Sequence, residues 1–356
     1  VARDIGDVSA IARVEAFEGT YWMSEQLLDD ALAHAEASED YATRAEVAMH
    51  NASYLGFAGR FDQSLAHTKR AIRIFEQLGD QVNLGRALAG SARCYSARAG
   101  LLEESFQFAD AARRIAKDTG NLDVKSWLPM EAEPLMYKGL WERAIQVAEE
   151  GSPIAWEIGN WFVVQFVSAW AAIAYLKLNR LEDARRIIDE AVKIAPRDTI
   201  TDNAAQTYRK IVDGQVLLAE GKFKEACQVG REALEDSERG GNRLEQGFAY
   251  RTLGQGYAAD ANASEAEACF RHGLEIVSEI QSQPELAQTL LMYGRFQCGR
   301  NPEDGMRMLK RALALFEAMG ATGWIEETLA ALRDPLPDVA KRGILDSGRP
   351  RYLEDL

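Results

Sequence analysis

Residues 250–273 read YRTLGQGYAADANASEAEACFRHG, and this stretch decides the fold. Leu253 and Tyr257 are four apart and share one helix face, with Tyr250 one turn earlier. Gly254 and Ala266 are small where two helices must approach closely. Phe270 follows Ala266 by four and Gly273 follows it by seven, so the second half repeats the helical spacing. The stretch is one helical hairpin with Ala261-Asn262-Ala263 at its turn.

The hairpin recurs along the chain. A small residue returns at Ser24, Ser64, Ser105, Ala144, Ala184, Ala226, Ala266 and Gly305, at intervals of 40, 41, 39, 40, 42, 40 and 39. A second series follows seven residues later at Ala31, Ala71, Ala112, Gly151, Ala191, Ala233, Gly273 and Ala312. All sixteen positions are Ala, Gly or Ser. Twelve residues before the first series stand Ala12, Ala52, Arg93, Ala132, Ala172, Gly214, Gly254 and Tyr293. Small residues seven apart form one stripe, against which a bulkier side chain would push the neighbouring helix away. Turns sit between the paired helices: GRF at Gly59, GLL at Gly100, GLW at Gly139, NRL at Asn179 and GKF at Gly221. The signal degrades to ANA at Ala261 and RNP at Arg300. The units are expected near 1–39, 40–80, 81–120, 121–160, 161–200, 201–241, 242–282 and 283–321, with a capping helix at 322–332. The tail, 333–356, carries three prolines and is expected to lie as an extended strap over the last helices.

The aromatic-x2-Leu-Gly-x2-Tyr…Ala-x3-Phe pattern at 250–270 resembles the tetratricopeptide repeat. The period of about forty also fits HEAT-like pairs, but the motif favours the tetratricopeptide geometry. The expected fold is all-α: a right-handed superhelical solenoid of about eight such hairpins plus a cap. GRFDQSLAHTKRAIRIFEQLGD at Gly59 and NRLEDARRIIDEAVKIA at Asn179 are similar to repeats of large bacterial signalling proteins. These are the maltotriose-activated transcription activators and the adenylate or guanylate cyclases that carry an ATPase and a repeat-rich half. The resemblance covers residues 5–332 and implies a sensor or scaffold segment, since none of those families' catalytic parts is present.

Bulk composition limits the function. The chain has 356 residues, of which 47% are hydrophobic and 27% charged, so it can order throughout most of its length. A formal charge of −14 opposes general nucleic-acid binding and docking on anionic lipid. No apolar run is long enough to span a membrane; Trp161–Leu178 comes nearest and is interrupted by Gln165, Ser168 and Lys177. Cys94, Cys227, Cys269 and Cys298 are widely spaced and read as reduced core fillers, which points to the cytoplasm. A start at Val1 without a signal-peptide layout reads as a piece of a longer protein.

The sequence offers no catalytic, metal or cofactor site. GQVLLAEGK at Gly214–Lys222 lacks phosphate-loop spacing and ends before Phe223, not Ser or Thr. His34, His50, His67 and His272 have no His or Cys three or four residues away. An enzyme built on a closed helical toroid would need acids converging on a central cavity, and an open array offers none. Function is therefore expected in a groove lined by the first helix of each pair. Inward positions fall three before, two before and one after the small residue of that helix. They give Met49, His50 and Ser53; then Gly90, Ser91 and Cys94; then Pro129, Met130 and Glu133. They continue through Ala169, Trp170 and Ile173, then Ile211, Val212 and Gln215, then Arg251, Thr252 and Gln255. Tyr208, one turn before Val212, joins Gln215, Arg251 and Gln255 as a candidate polar site, with Arg251 suited to a carboxylate or phosphate. Five of seven tryptophans fall within 44 residues, and Trp127, Trp161 and Trp170 are candidates for a partner or effector patch. Trp141 sits at the turn position of Phe61 and Phe223 and reads as structural. Pro129 and Pro134 make the fourth unit irregular, a reasonable place for function. The expected partner is a protein or peptide, with a small-molecule effector as a further possibility; a stand-alone adaptor or chaperone is the alternative.

Overall fold

The computed structural model describes residues 6–21, 24–194 and 203–334. The tail from 335 and the expected end of the helix at 195 lie outside the described residues. Helices follow each other in antiparallel pairs: α1 (Val8–Tyr21) with α2 (Glu25–Ala37), and α3 (Tyr41–Phe57) with α4 (Phe61–Leu78). In the third pair the first helix is broken into α5 (Gln81–Ala87), a π turn (Leu88–Ala92) and α6 (Arg93–Ala99), which pack on α7 (Leu102–Thr119). In the fourth it is α8 (Leu122–Trp127), a 3-10 turn (Leu128–Glu131) and α9 (Ala132–Lys138), against α10 (Trp141–Glu157). Then come α11 (Trp161–Lys177) with α12 (Leu181–Ile194) and α13 (Asn203–Ala219) with α14 (Phe223–Arg239). The series ends with α15 (Arg243–Ala259) and α16 (Ala263–Glu279), α17 (Gln283–Cys298) and α18 (Pro302–Met319), and the capping α19 (Thr322–Arg333).

The small-residue stripes are the seams of these pairs. Ser64 and Ser105 are fully buried, and each hydroxyl donates to a backbone carbonyl of the preceding helix, Ala52 at 2.7 Å and Arg93 at 2.8 Å. A Cβ on Gly254 would stand 2.9 Å from the Phe270 ring, so the motif's glycine is required by close approach. At the turns, Asn179 and Ala261 hold φ of 58° and 59°, the left-handed conformation that the glycines supply elsewhere. Ala261 does so at the cost of Cβ strain, which accounts for the weaker turn signal there.

The solenoid is not open. It winds tightly enough for its last units to return to the third and fourth. The Ser282 hydroxyl donates to the Arg98 carbonyl at 2.8 Å, and the Tyr137 hydroxyl to Glu285 Oε1 at 2.9 Å. Trp324 Nε1 donates to the Met136 carbonyl at 3.0 Å, and Lys177 pairs with Glu327 at 2.7 Å. Ile280 joins Ala52, Phe61, Leu65, Cys94, Tyr95 and Leu244 in one cluster drawn from units two, three and seven. The expectation of an open array is thus corrected: the concave side of the later units is filled by other units of the same chain. Trp141 packs edge-on against Trp324 of the cap, at 5.2 Å between ring centroids.

Candidate functional site

The inner surface divides into a filled part and a cavity. In the filled part a chain of rings runs through units five to seven: Phe162, Phe166, Trp170, Tyr208 and Phe248, with successive centroids 5.1–6.2 Å apart. Buried charges lie beside it. Arg251 donates to Glu285 at 2.5 Å and contacts Gln288 and Thr289. Arg98 Nε donates to Glu133 Oε1 at 2.8 Å, and Arg93 stands 3.6 Å from the other Glu133 oxygen. Glu245 is fully buried, and burial raises its pKa.

This arrangement corrects several sequence expectations. Trp170, Tyr208, Arg251 and Glu133 are not groove residues open to a partner; all are 2% exposed or less. The reason is the closure of the coil. Their positions face inward, as the spacing rule says, but the inward side there is occupied by α17 and by neighbouring units. The buried Glu133, Glu245 and Glu285 also show that carboxylates do converge inside, although Glu133 and Glu285 are held by arginines. Gln215 and Gln255 are half-buried on α13 and α15 and lie outside the cavity wall. Trp161 is half-buried and packs edge-on against the partly exposed Trp156, 6.0 Å away, also apart from the cavity.

The cavity is about 330 Å³, within the range of small-molecule sites. Its wall takes Phe17 and Thr20 from unit one and His50, Ser53 and Phe57 from unit two. Unit three gives Gly90, Ser91, Cys94, Tyr95 and Arg98; unit four gives Trp127 and Met130; unit five gives Phe162 and Phe166. Ala204, Gly240 and Asn242 complete it. A second hollow of about 350 Å³ shares His50, Ser53, Gly90, Ser91 and Trp127 with it and runs out past Glu46, Asn83 and Arg86. Of the residues singled out from the sequence as candidates, Trp127 and Met130 meet here. The inward rule also placed His50, Ser53, Gly90, Ser91 and Cys94 correctly. Arg98 and Phe166 were missed, although each extends an inward face by one turn, from Cys94 and from Trp170, and Phe162 lies one turn beyond Phe166.

Both breaks in helical regularity lie on this wall. The π turn carries Gly90 and Ser91; the 3-10 turn at Pro129 begins just after Trp127 and includes Met130. Gly90 is needed because the Trp127 ring lies 3.1 Å from where its Cβ would stand. The groups that touch the cavity are chemically quiet. Burial lowers the His50 pKa below its ordinary value, keeping the ring neutral near pH 7, and its Nδ1 lies 3.1 Å from the Thr20 hydroxyl. The Cys94 thiol is pushed far up by burial and is no nucleophile. Among the described residues no His, Cys, Asp and Glu cluster is placed to hold a metal, and no helix is long and apolar enough to cross a membrane.

The sequence matches no known family model, and no curated protein is similar to it in sequence. Solved structures do match in shape. A Rap protein complexed with competence and sporulation factor superposes with a TM-score of 0.58 at 13% identity, covering 90% of this chain and 83% of that one. NprR in complex with its cognate peptide NprX gives 0.57 at 11% identity, covering 92% and 100%. A signal-transduction ATPase with a tetratricopeptide repeat sensor, from Pyrococcus horikoshii, gives 0.52 at 13% identity. This chain covers 96% of its own length there but spans only 56% of that protein. The fold is a tetratricopeptide-repeat superhelix. At these identities the likeness extends to the fold alone, and the superhelix carries its cavity where its own irregular units place it.

Proposed function

We propose that this superhelix is a non-catalytic binding module, the sensory or scaffolding part of a cytoplasmic signal-transduction or transcription-regulatory protein. Its ligand is a peptide or a small effector held in the concave cavity. The observation that carries the reading is the coincidence of the two helix irregularities with the cavity wall. A helical array needs neither a π turn nor a 3-10 turn to stack, and both shape the same hollow. The matched Rap and NprR structures are complexes with a signalling factor and a cognate peptide, and the archaeal ATPase uses its repeats as a sensor, which supports the same use here. The test is thermal denaturation of the chain against a panel of short peptides and small metabolites. Genuine ligands raise the Tm of the parent and leave Ser91→Phe, whose ring fills the cavity, unshifted. Hits that stabilise Ser91→Phe equally would remove the cavity from the reading.

A further inference from the structure

Arg98 is an arginine at the cavity wall with most of its bonding capacity unused. Only its Nε is engaged, by Glu133 at 2.8 Å. Its two terminal nitrogens have no hydrogen-bond partner among the described residues, although the residue is 1% exposed. The guanidinium lies 5.6 Å over the Phe166 ring, which itself faces the cavity. Its backbone is pinned from across the superhelix by the Ser282 hydroxyl.

Glu133 is shared between Arg98 and Arg93, and both terminal nitrogens of Arg93 are buried without a hydrogen bond. Arg251 and Glu285 are matched to each other. Glu245 is buried with neither oxygen hydrogen-bonded, so it bridges to no guanidinium. Two buried cations thus share one hydrogen-bonded carboxylate, and an unpaired buried charge is costly. His50 adds no second positive charge, because burial keeps it neutral. The remaining wall is largely aromatic and apolar, through Trp127, Met130, Phe162 and Phe166.

We infer that the cavity takes an organic monocarboxylate, its carboxylate pairing with the terminal nitrogens of Arg98 and its apolar body lying against Trp127, Phe162 and Phe166. The inference rests on the binding-module reading and deepens it. A carboxylate suits the unused terminal N–H groups of Arg98, whose planar fork can make two parallel N–H···O bonds. The carboxylate has two possible sources, a free apolar acid or the C-terminus of a short apolar peptide.

The test uses calorimetric titration of the whole chain with decanoate and with decanol, and with an apolar tetrapeptide bearing a free or an amidated C-terminus. A carboxylate probe binds at least about tenfold more tightly than its neutral counterpart, the size of one charge-assisted hydrogen bond. Preference within the first pair identifies a free acid, and within the second a peptide end. Arg98→Gln abolishes the preference, and Ser91→Phe abolishes binding, with both variants checked for fold by circular dichroism. Equal affinity for charged and neutral members of both pairs overturns the carboxylate assignment and leaves the binding module standing. No binding by any of the four overturns the monocarboxylate assignment, and the binding module is then decided by the peptide and metabolite panel. The comparison on the parent chain holds whether or not Arg98→Gln folds.

Discussion

Arg251 shows how far a residue's role depends on what lies across from it. From its spacing it is an inward-facing cation on a first helix; in the molecule it is 2% exposed and bonded to Glu285, Gln288 and Thr289. It therefore stabilises the coil and has nothing free for a ligand. Replacing it removes the partner of a buried carboxylate, which is worse than never having had the pair. Arg251→Met is expected to lower stability by about 3–5 kcal/mol in denaturant titration. A loss below roughly 1 kcal/mol would show that Glu285 is satisfied by Tyr137 alone. Arg98 has the same chemistry and a different situation. Its partner Glu133 is divided with Arg93, and a cavity stands where Arg251 has α17.

Between elements, two glycines from distant units bring backbone directly against backbone. Gly139 ends α9 in the left-handed conformation, and Gly323 lies in the first turn of α19. A Cβ on Gly323 would stand 2.4 Å from the Gly139 carbonyl oxygen and 2.9 Å from its Cα. Backbone cannot yield as a side-chain tip can. Gly323→Ala improves helix propensity by about 1 kcal/mol, since alanine is the better helix former. It is nonetheless expected to destabilise by roughly 1–3 kcal/mol through overpacking at the cap. The measurement is the denaturation midpoint together with Trp324 fluorescence, whose indole bonds the Met136 carbonyl beside this contact. A raised midpoint would mean that the cap is not seated on α9. The elements themselves were legible in the sequence. The turns expected at Gly59, Gly100, Gly139, Asn179 and Gly221 do separate α3 from α4, α6 from α7, α9 from α10, α11 from α12 and α13 from α14, each with a positive φ. The break at Pro129 was also legible. The π turn was not, because Leu88–Ala92 contains nothing that a regular helix forbids; in the fold it packs against the Trp127 ring at Gly90.

For the whole molecule, the returning contacts change what kind of solenoid this is. Pairs 148–188 residues apart hydrogen-bond, at Tyr137–Glu285, Ser282–Arg98 and Trp324–Met136. An open array behaves as neighbouring units in series and frays from its ends. Here the last unit and the cap are bound to the middle, so the ends are expected to open together with it. In native-state hydrogen exchange, amides of α6, α9 and α17 should share one opening free energy and one denaturant dependence. A graded loss of protection from α19 inward would rule out the closed coil. Closure also fixes the site, because Arg98 and Phe166, from units three and five, meet only when the coil is this tight.

The sequence by itself determined the repeat, the helices, the turns and which face of each first helix looks inward. Those properties follow from local spacing: seven-residue stripes of small side chains, a left-handed residue at each turn, and the four-residue period of a helix face. It placed Met130, His50, Ser53, Ser91 and Cys94 on the inner surface for that reason, while Trp127 was singled out by the clustering of tryptophans. Only the tertiary structure decided which inward residues are covered and which border a cavity. Superhelical pitch is a sum of small rotations at many seams, and no single residue encodes it. That pitch puts α17 over Arg251 and leaves space beside Arg98.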